Sequence, residues 1–160
     1  VDISSKRLEK IRENCARLGI SSILTVKADA SQFTSDVKYD RVLIDAPCSN
    51  TGVLAKRIDA RWKRLPDDLD KLQKIQLEIL NNAANLVKSG GIIVYSTCSI
   101  EPEENIFVIK KFLSANPEFK LDKIAPYLPW EITNDDGYFQ ILQSKQNIDG
   151  FFIARIKKSM

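Results

Sequence analysis

The chain has 160 residues, 44% hydrophobic and 28% charged, with a formal net charge of +3, a profile that fits one globular domain with its own core. No apolar run approaches the ~18 residues of a membrane span and no signal-peptide pattern opens the chain, so a cytoplasmic protein is expected. Histidine is absent and the three cysteines show no CxxC spacing, which excludes Ser-His-Asp and Cys-His nucleophiles, histidine metal sites, zinc ribbons and a disulfide framework, and leaves no metal expected.

From Ser5 to Leu18 the apolar positions Leu8, Ile11, Cys15 and Leu18 recur at helical spacing, with Gly19 as a stop; Cys15 sits on this stripe and reads as a small core residue. "SILTVKADA" (22–30) is a β-type run ending in an acidic loop. "YDRVLIDAPC" (39–48) has the continuous apolar centre of a strand covered on both faces. Beyond a basic segment, Leu69, Leu72, Ile75, Ile79, Ala83 and Leu86 mark a long helix, closed by Gly90 and Gly91. It feeds a second buried-type strand, "IIVYSTC" (92–98).

A helix starting near Pro102 follows, with Glu103 and Glu104 placed against its N-terminal dipole and Ile106, Ile109 and Leu113 on its inner stripe. Two β candidates close the chain, Tyr138 to Leu142 and Phe151 to Ile156, with Ile148 to Gly150 as a turn between them. Strands alternating with helices imply an α/β fold with a mainly parallel sheet and an antiparallel C-terminal edge. Ligands of such sheets bind beyond the carboxyl ends of the strands. That rule selects Asp2, Asp29, the stretch from Asp45 to Cys48, and Thr97 to Ser99.

Asp2 and Asp29 suit hydrogen bonds from the hydroxyls and amine of a nucleoside cofactor, although an Asp after a strand is also ordinary turn chemistry. Cys48 and Cys98 each follow an apolar strand, and one long helix bridges them, so the strands are expected to be neighbours and the thiols to meet at one cleft. Two thiols and a carboxylate without histidine suggest covalent activation of an electron-poor ring. Cytosine C5 is too weak a nucleophile to accept a methyl group unless a thiolate first adds at C6. Asp45 is suited to assist at N3, and a second thiol to help eliminate the adduct. Lys56, Arg57, Arg61, Lys63 and Arg64 face a single acid, Asp59, in "AKRIDARWKR" (55–64), with Trp62 among them; phosphate contact and base stacking on RNA suit this segment.

"DRVLIDAPCSNTGVLAKRIDARW", "LQKIQLEILNNAANLVKSGGIIVYSTCSIEPEEN" and "DGFFIARIKK" resemble the S-adenosylmethionine-dependent RNA cytosine-5 methyltransferases, most closely the bacterial group acting on 16S ribosomal RNA. The resemblance implies a Rossmann-like class I methyltransferase sheet. Cys98 would be the nucleophile on C6, and Cys48 the thiol that releases product. Asp45 and Pro47 would shape the pocket for base and methionine, Asp2 would hold the cofactor ribose, and Asp29 with Ala30 would lie near its adenine. Arg61 and Trp62 fall in the family's substrate-side segment.

The family usually has glycine where this chain has Asn50, and its "PGGKT" turn, upstream of the position of Asp2, is not in these residues, nor is the first strand. Residues 1–160 are therefore expected to be the C-terminal portion of a single catalytic domain, a monomer with ribosomal RNA as its partner. A DNA cytosine-5 methyltransferase would use the "PC" loop thiol, Cys48, as attacker, and "STCSIEPEEN" argues against it. An enzyme acting on tRNA, or a non-catalytic RNA-binding or interaction module of the same shape, are the other readings.

Overall fold

The computed structural model of the chain describes residues 1–57, 62, 67–124, 136–142 and 148–160. Helix α1 (Ser5–Leu18) starts where the Ser4 hydroxyl accepts the Arg7 N–H, and it stops at Gly19 in a left-handed conformation, as its end signals require. Its apolar stripe is not a core face, contrary to expectation. Leu8 alone is buried in this helix; Ile11 and Leu18 are exposed, and Cys15 is half-buried. The described residues supply no layer over that face.

The run at 22–30 likewise does not form a strand. It makes one parallel bridge, Lys27 to Asp2, and Leu24 is almost fully exposed. A β-prone sequence becomes a ladder only where neighbours complete it, and here a single bridge is what it finds.

Strands β1 (Tyr39–Asp45) and β2 (Val87–Thr97) pair in parallel, from Arg41 opposite Ile92 to Asp45 opposite Ser96, and helix α2 (Asp67–Leu86) lies between them in sequence. The glycines expected to end α2 instead lie inside β2, where the register slips between Tyr39 and Arg41. Gly90 has φ +72, and a Cβ on Gly91 would stand 2.9 Å from the Asp40 carbonyl oxygen, so this bulge needs residues without side chains.

Beyond β2 the sheet turns antiparallel. Strand β5 (Phe151–Lys158) pairs with β2 on one side and, on the other, with β3 (Phe119–Leu121) and β4 (Tyr138–Ile141). Among the described strands one pair is parallel and three are antiparallel, so the sheet is mixed rather than mainly parallel. The correction follows from the run at 22–30 adding no ladder while the C-terminal strands gather on β5.

Helix α3 (Ile106–Ala115) begins four residues after Pro102, because 102–105 form a turn in which the Asn105 N–H donates to the Pro102 carbonyl at 3.2 Å. Ile44, Leu80, Ile93, Tyr95, Val108, Ile109, Phe112, Phe152 and Ile156 form one core between sheet and helices. Each such side chain contributes ~1.5–3 kcal/mol on burial. The outer edge of β1 has no partner among the described strands. Beside it runs a groove of about 500 Å³ lined by Val1, Leu24, Val26, Ala30, Leu43 and Asp45, among others. No helix among the described residues is long and apolar enough to cross a membrane.

Candidate active site

The parallel pairing of β1 and β2 in register brings Asp45 opposite Ser96, so the loops that leave both strands emerge side by side. Their thiols meet: Cys48 Sγ lies 3.2 Å from Cys98 Sγ. Cys48 is buried and Cys98 half-buried, so Cys98 is the more accessible of the two.

That geometry splits their acidities. A hydrogen bond from Cys48 draws Cys98 down to about 7, outweighing burial and the nearby negative charges of Asp45 and Glu104. Cys48 moves upward, first through its partner Cys98 and then through burial. The two thiols titrate as a unit. The more acidic sulfur is the more accessible one, Cys98.

Asn50 stands against the pair in a left-handed conformation at φ 64, which asparagine tolerates better than most residues. Its Nδ2 donates to the Cys48 carbonyl at 3.0 Å, and its Oδ1 lies 3.0 Å from Cys98 Sγ. When Cys98 is protonated, its S–H donates to that oxygen; when it is ionised, Cys48 is the donor. The asparagine at this loop position thus puts an amide against Cys98 and leaves the thiol pair in place.

The next residues are held by contact between backbones. The Gly52 N–H donates to the Cys98 carbonyl at 3.0 Å, and the Gly150 N–H to the Gly52 carbonyl at 2.7 Å. A Cβ on Gly52 would come within 2.4 Å of Gly150 oxygen, so this approach requires glycine.

Of the residues expected to hold a cofactor, Ala30 and Asp45 line the groove beside β1. Asp29 precedes Ala30 and accepts the backbone N–H of Ser31 at 2.9 Å and its hydroxyl at 2.8 Å, which hold its carboxyl below the usual range. Asp2 is turned to its own helix: Arg7 Nε and Nη2 donate to its two oxygens at 2.8 and 2.7 Å, and Ser4 N–H donates at 2.7 Å. Arg7, then Ser4, depress its pKa. Pro47 does not line the groove; its carbonyl accepts Gln76 Nε2 at 2.8 Å.

Of the basic segment, Lys56 pairs with Asp149, Arg57 is exposed, and Trp62 is 81% exposed. Arg61, Lys63 and Arg64 lie outside the described residues.

Several residues here escaped the sequence reading. Glu104 is fully buried beneath both cysteine loops, as is Gln76, on the buried face of α2 where Ile75 was expected and is instead exposed. The available signal was a serine after each cysteine, "PCS" and "TCS", with "PEEN" close behind, and glutamines interrupting the apolar stripe of α2.

The description "16S rRNA methyltransferase RsmB/F" matches residues 1–157. The chain is 36% identical, over 99% of its length, to ribosomal RNA small subunit methyltransferase B of Shewanella oneidensis and 37% identical, over 99%, to the probable methyltransferase B of Bacillus subtilis. It spans about 37% of the length of each of these curated relatives. Among solved structures, NSun6 from Pyrococcus horikoshii with SFG superposes with a TM-score of 0.84 at 28% identity, covering 99% of this chain and 40% of that one. A methyltransferase homologue from the same organism gives 0.78 at 32% identity, covering 98% and 52%. The N-methyltransferase NodS from Bradyrhizobium japonicum, at 12% identity and a TM-score of 0.53 over 95% of this chain and 69% of that one, shares the fold.

Proposed function

The chain belongs to the 16S rRNA methyltransferase RsmB/F family, and on that footing we propose that it carries the thiol pair of an RNA cytosine-5 methyltransferase acting on ribosomal RNA. The observation that supports this most directly is the contact of Cys48 and Cys98 at 3.2 Å, with Cys98 ionising near neutrality beside Asp45.

In this reading the Cys98 thiolate forms a bond to cytosine C6, which moves electron density to C5. Asp45 supports the addition as the partner of a proton shared with N3, which N3 gives up again when the ring is restored. S-adenosylmethionine, when bound, supplies the electrophilic methyl group. Once the Cys98 electron pair is committed to the S–C6 bond, it no longer accepts the Cys48 hydrogen bond, and Cys48 gives its thiol proton to water. The Cys48 thiolate then takes the proton from C5, the C6–S bond breaks, and the electron pair returns to Cys98.

The groove beside β1 fits the cofactor: its volume lies in the range of small-molecule sites, ~300–1,000 Å³, and it opens at the end of a strand. Asp29 and Ala30 would take the adenine end, and Asp45 the methionine end. Asp2 would hold the ribose by exchanging Arg7 for hydroxyl donors. The free edge of β1 and the exposed Leu43 support a further strand pairing there, carrying the glycine-rich turn that the family resemblance implies. Lys56, Arg57, Arg61, Trp62, Lys63 and Arg64 would contact the RNA.

The acidity of Cys98 has a direct readout. Alkylation of the Cys98 peptide rises with pH through a midpoint near 7. Removing its donor with Cys48→Ala shifts that midpoint up toward an ordinary thiol, ~8.5, whereas Cys48→Ser, which keeps a donor, shifts it less. A midpoint unmoved by Cys48→Ala contradicts the pairing.

The functional test is methyl transfer from labelled S-adenosylmethionine to 16S ribosomal RNA by the gene product that contains this chain. The expected result is 5-methylcytosine in the digested RNA. A folded protein that binds RNA and transfers no methyl group returns the non-catalytic reading.

A further inference from the structure

Each cysteine of the pair is followed by a serine, and both serines bond to one carboxylate. Glu104, in the turn before α3, is fully buried. It accepts the Ser49 N–H at 2.8 Å, the Ser99 hydroxyl at 2.6 Å and Gln76 Nε2 at 3.0 Å, together with the Ser49 hydroxyl. Every one of these partners is a donor, which a carboxylate can satisfy on both oxygens. The turn is itself fixed: Tyr95 OH donates to the Glu104 carbonyl at 2.7 Å, and Asn105 Nδ2 donates to the Ser99 carbonyl at 2.9 Å.

We propose that Glu104 is a positioning residue, which sets the spacing of Cys48 and Cys98 by holding the loops of both on a single carboxylate. Its catalytic meaning rests on the function proposed above, but the spacing itself is a property of the folded chain. Hydrogen bonds to an ionised group are shorter and about twice as strong as neutral ones, and losing this acceptor leaves several buried donors unmet. The strand pairing ends at Asp45 and Ser96; beyond it the Gly52 N–H bonds the Cys98 carbonyl, the two serine hydroxyls lie 3.2 Å apart, and Glu104 ties both loops to a third element, the turn before α3.

Two effects of Glu104 on Cys98 oppose each other. Its charge disfavours the Cys98 thiolate, whereas the spacing it maintains delivers the Cys48 donor that favours it. Substitutions separate them. Glu104→Gln keeps the shape: one oxygen still accepts from Ser49 N–H and Gln76, and the new amide donates to hydroxyls that rotate to accept. Glu104→Ala removes charge and shape together. Ser99→Ala cuts one arm, along with that hydroxyl's contacts to Ser49, Thr51 and the Glu101 N–H, and keeps the charge.

The experiment uses the whole gene product without RNA or cofactor, so its result does not depend on methyl transfer. Diamide oxidises two thiols to a disulfide, both thiol hydrogens passing to its N=N bond, and the rate of Cys48–Cys98 closure reports their spacing. Alkylation of the Cys98 peptide against pH reports the thiolate. Glu104→Gln is expected to close at a rate close to wild type, with a midpoint at or below about 7. Glu104→Ala and Ser99→Ala are expected to close about tenfold more slowly, with raised midpoints. Circular dichroism establishes folding, and if Glu104→Ala does not fold, Ser99→Ala decides. Wild-type closure in folded Ser99→Ala, or a midpoint that falls in folded Glu104→Ala as it does in Glu104→Gln, overturns the proposal.

Discussion

Cys98→Ala abolishes methyl transfer and covalent capture of RNA together, with a rate loss of at least about 10⁴-fold, the scale on which removal of an enzyme's nucleophile is felt. Cytosine C5 becomes a carbon nucleophile only while a sulfur occupies C6, and no other described thiol can substitute. Cys48 is buried, and its pKa is raised rather than lowered. Cys15 sits on α1, outside the cleft. The fold tolerates the change, because Cys98 is only half-buried and alanine fills most of its volume without leaving a buried charge. Circular dichroism and thermal melting should match wild type while labelled methyl incorporation is lost; residual turnover above background contradicts the assignment.

Cys48→Ala has the second largest effect, and its signature is accumulation rather than loss. The S–C6 bond still forms, but the proton at C5 has lost its acceptor, so release slows by ~10²–10⁴-fold, the usual scale of general acid–base assistance. A protein–RNA adduct therefore persists on a denaturing gel where wild type shows none. The same substitution removes the donor that keeps Cys98 acidic, so thiolate is scarcer at neutral pH and adduct forms more slowly. Raising the pH from about 7 to about 9 repopulates the thiolate and speeds adduct formation, without restoring release. Turnover at the wild-type rate would show that Cys48 has no part in release.

The strands that lead to the thiols were legible because short continuous apolar runs such as "VLI" and "IIVY" suit a sheet; cover on both faces, expected for 39–48, is not found among the described residues, where Leu43 is 72% exposed. Their adjacency followed from one helix lying between them. The run at 22–30 misled because β-propensity describes a surface that fits a sheet, while pairing needs a neighbour, and Lys27 finds only Asp2. Gly90 and Gly91 read as a helix stop because the same left-handed freedom serves a helix end and a bulge. What the sequence hid most completely was polar burial. Glu104 read as a helix-dipole partner, and Gln76 lay outside the apolar positions that marked α2, because their value lies in bonds to the Cys48 loop, 29 and 55 residues away, and to each other. Spacing along the chain does not reveal such bonds.

At the site, the two cysteines meet as the spacing suggested, and Asp45 lies at the end of its strand close enough to act on Cys98. Spacing did not foretell the partner of Asp2: Arg7, five residues on, claims both of its oxygens, a local pairing between an isolated bridge residue and the first turn of α1.

The division of labour between the thiols is tested most directly by trapping the adduct on RNA containing 5-fluorocytosine, whose C5 fluorine blocks the final proton loss, and mapping the bound nucleotide after trypsin digestion. Cys98 falls in the peptide 89–110 and Cys48 in the peptide 42–56. The nucleotide is expected on 89–110. Its recovery on 42–56 would make Cys48 the nucleophile and contradict the account.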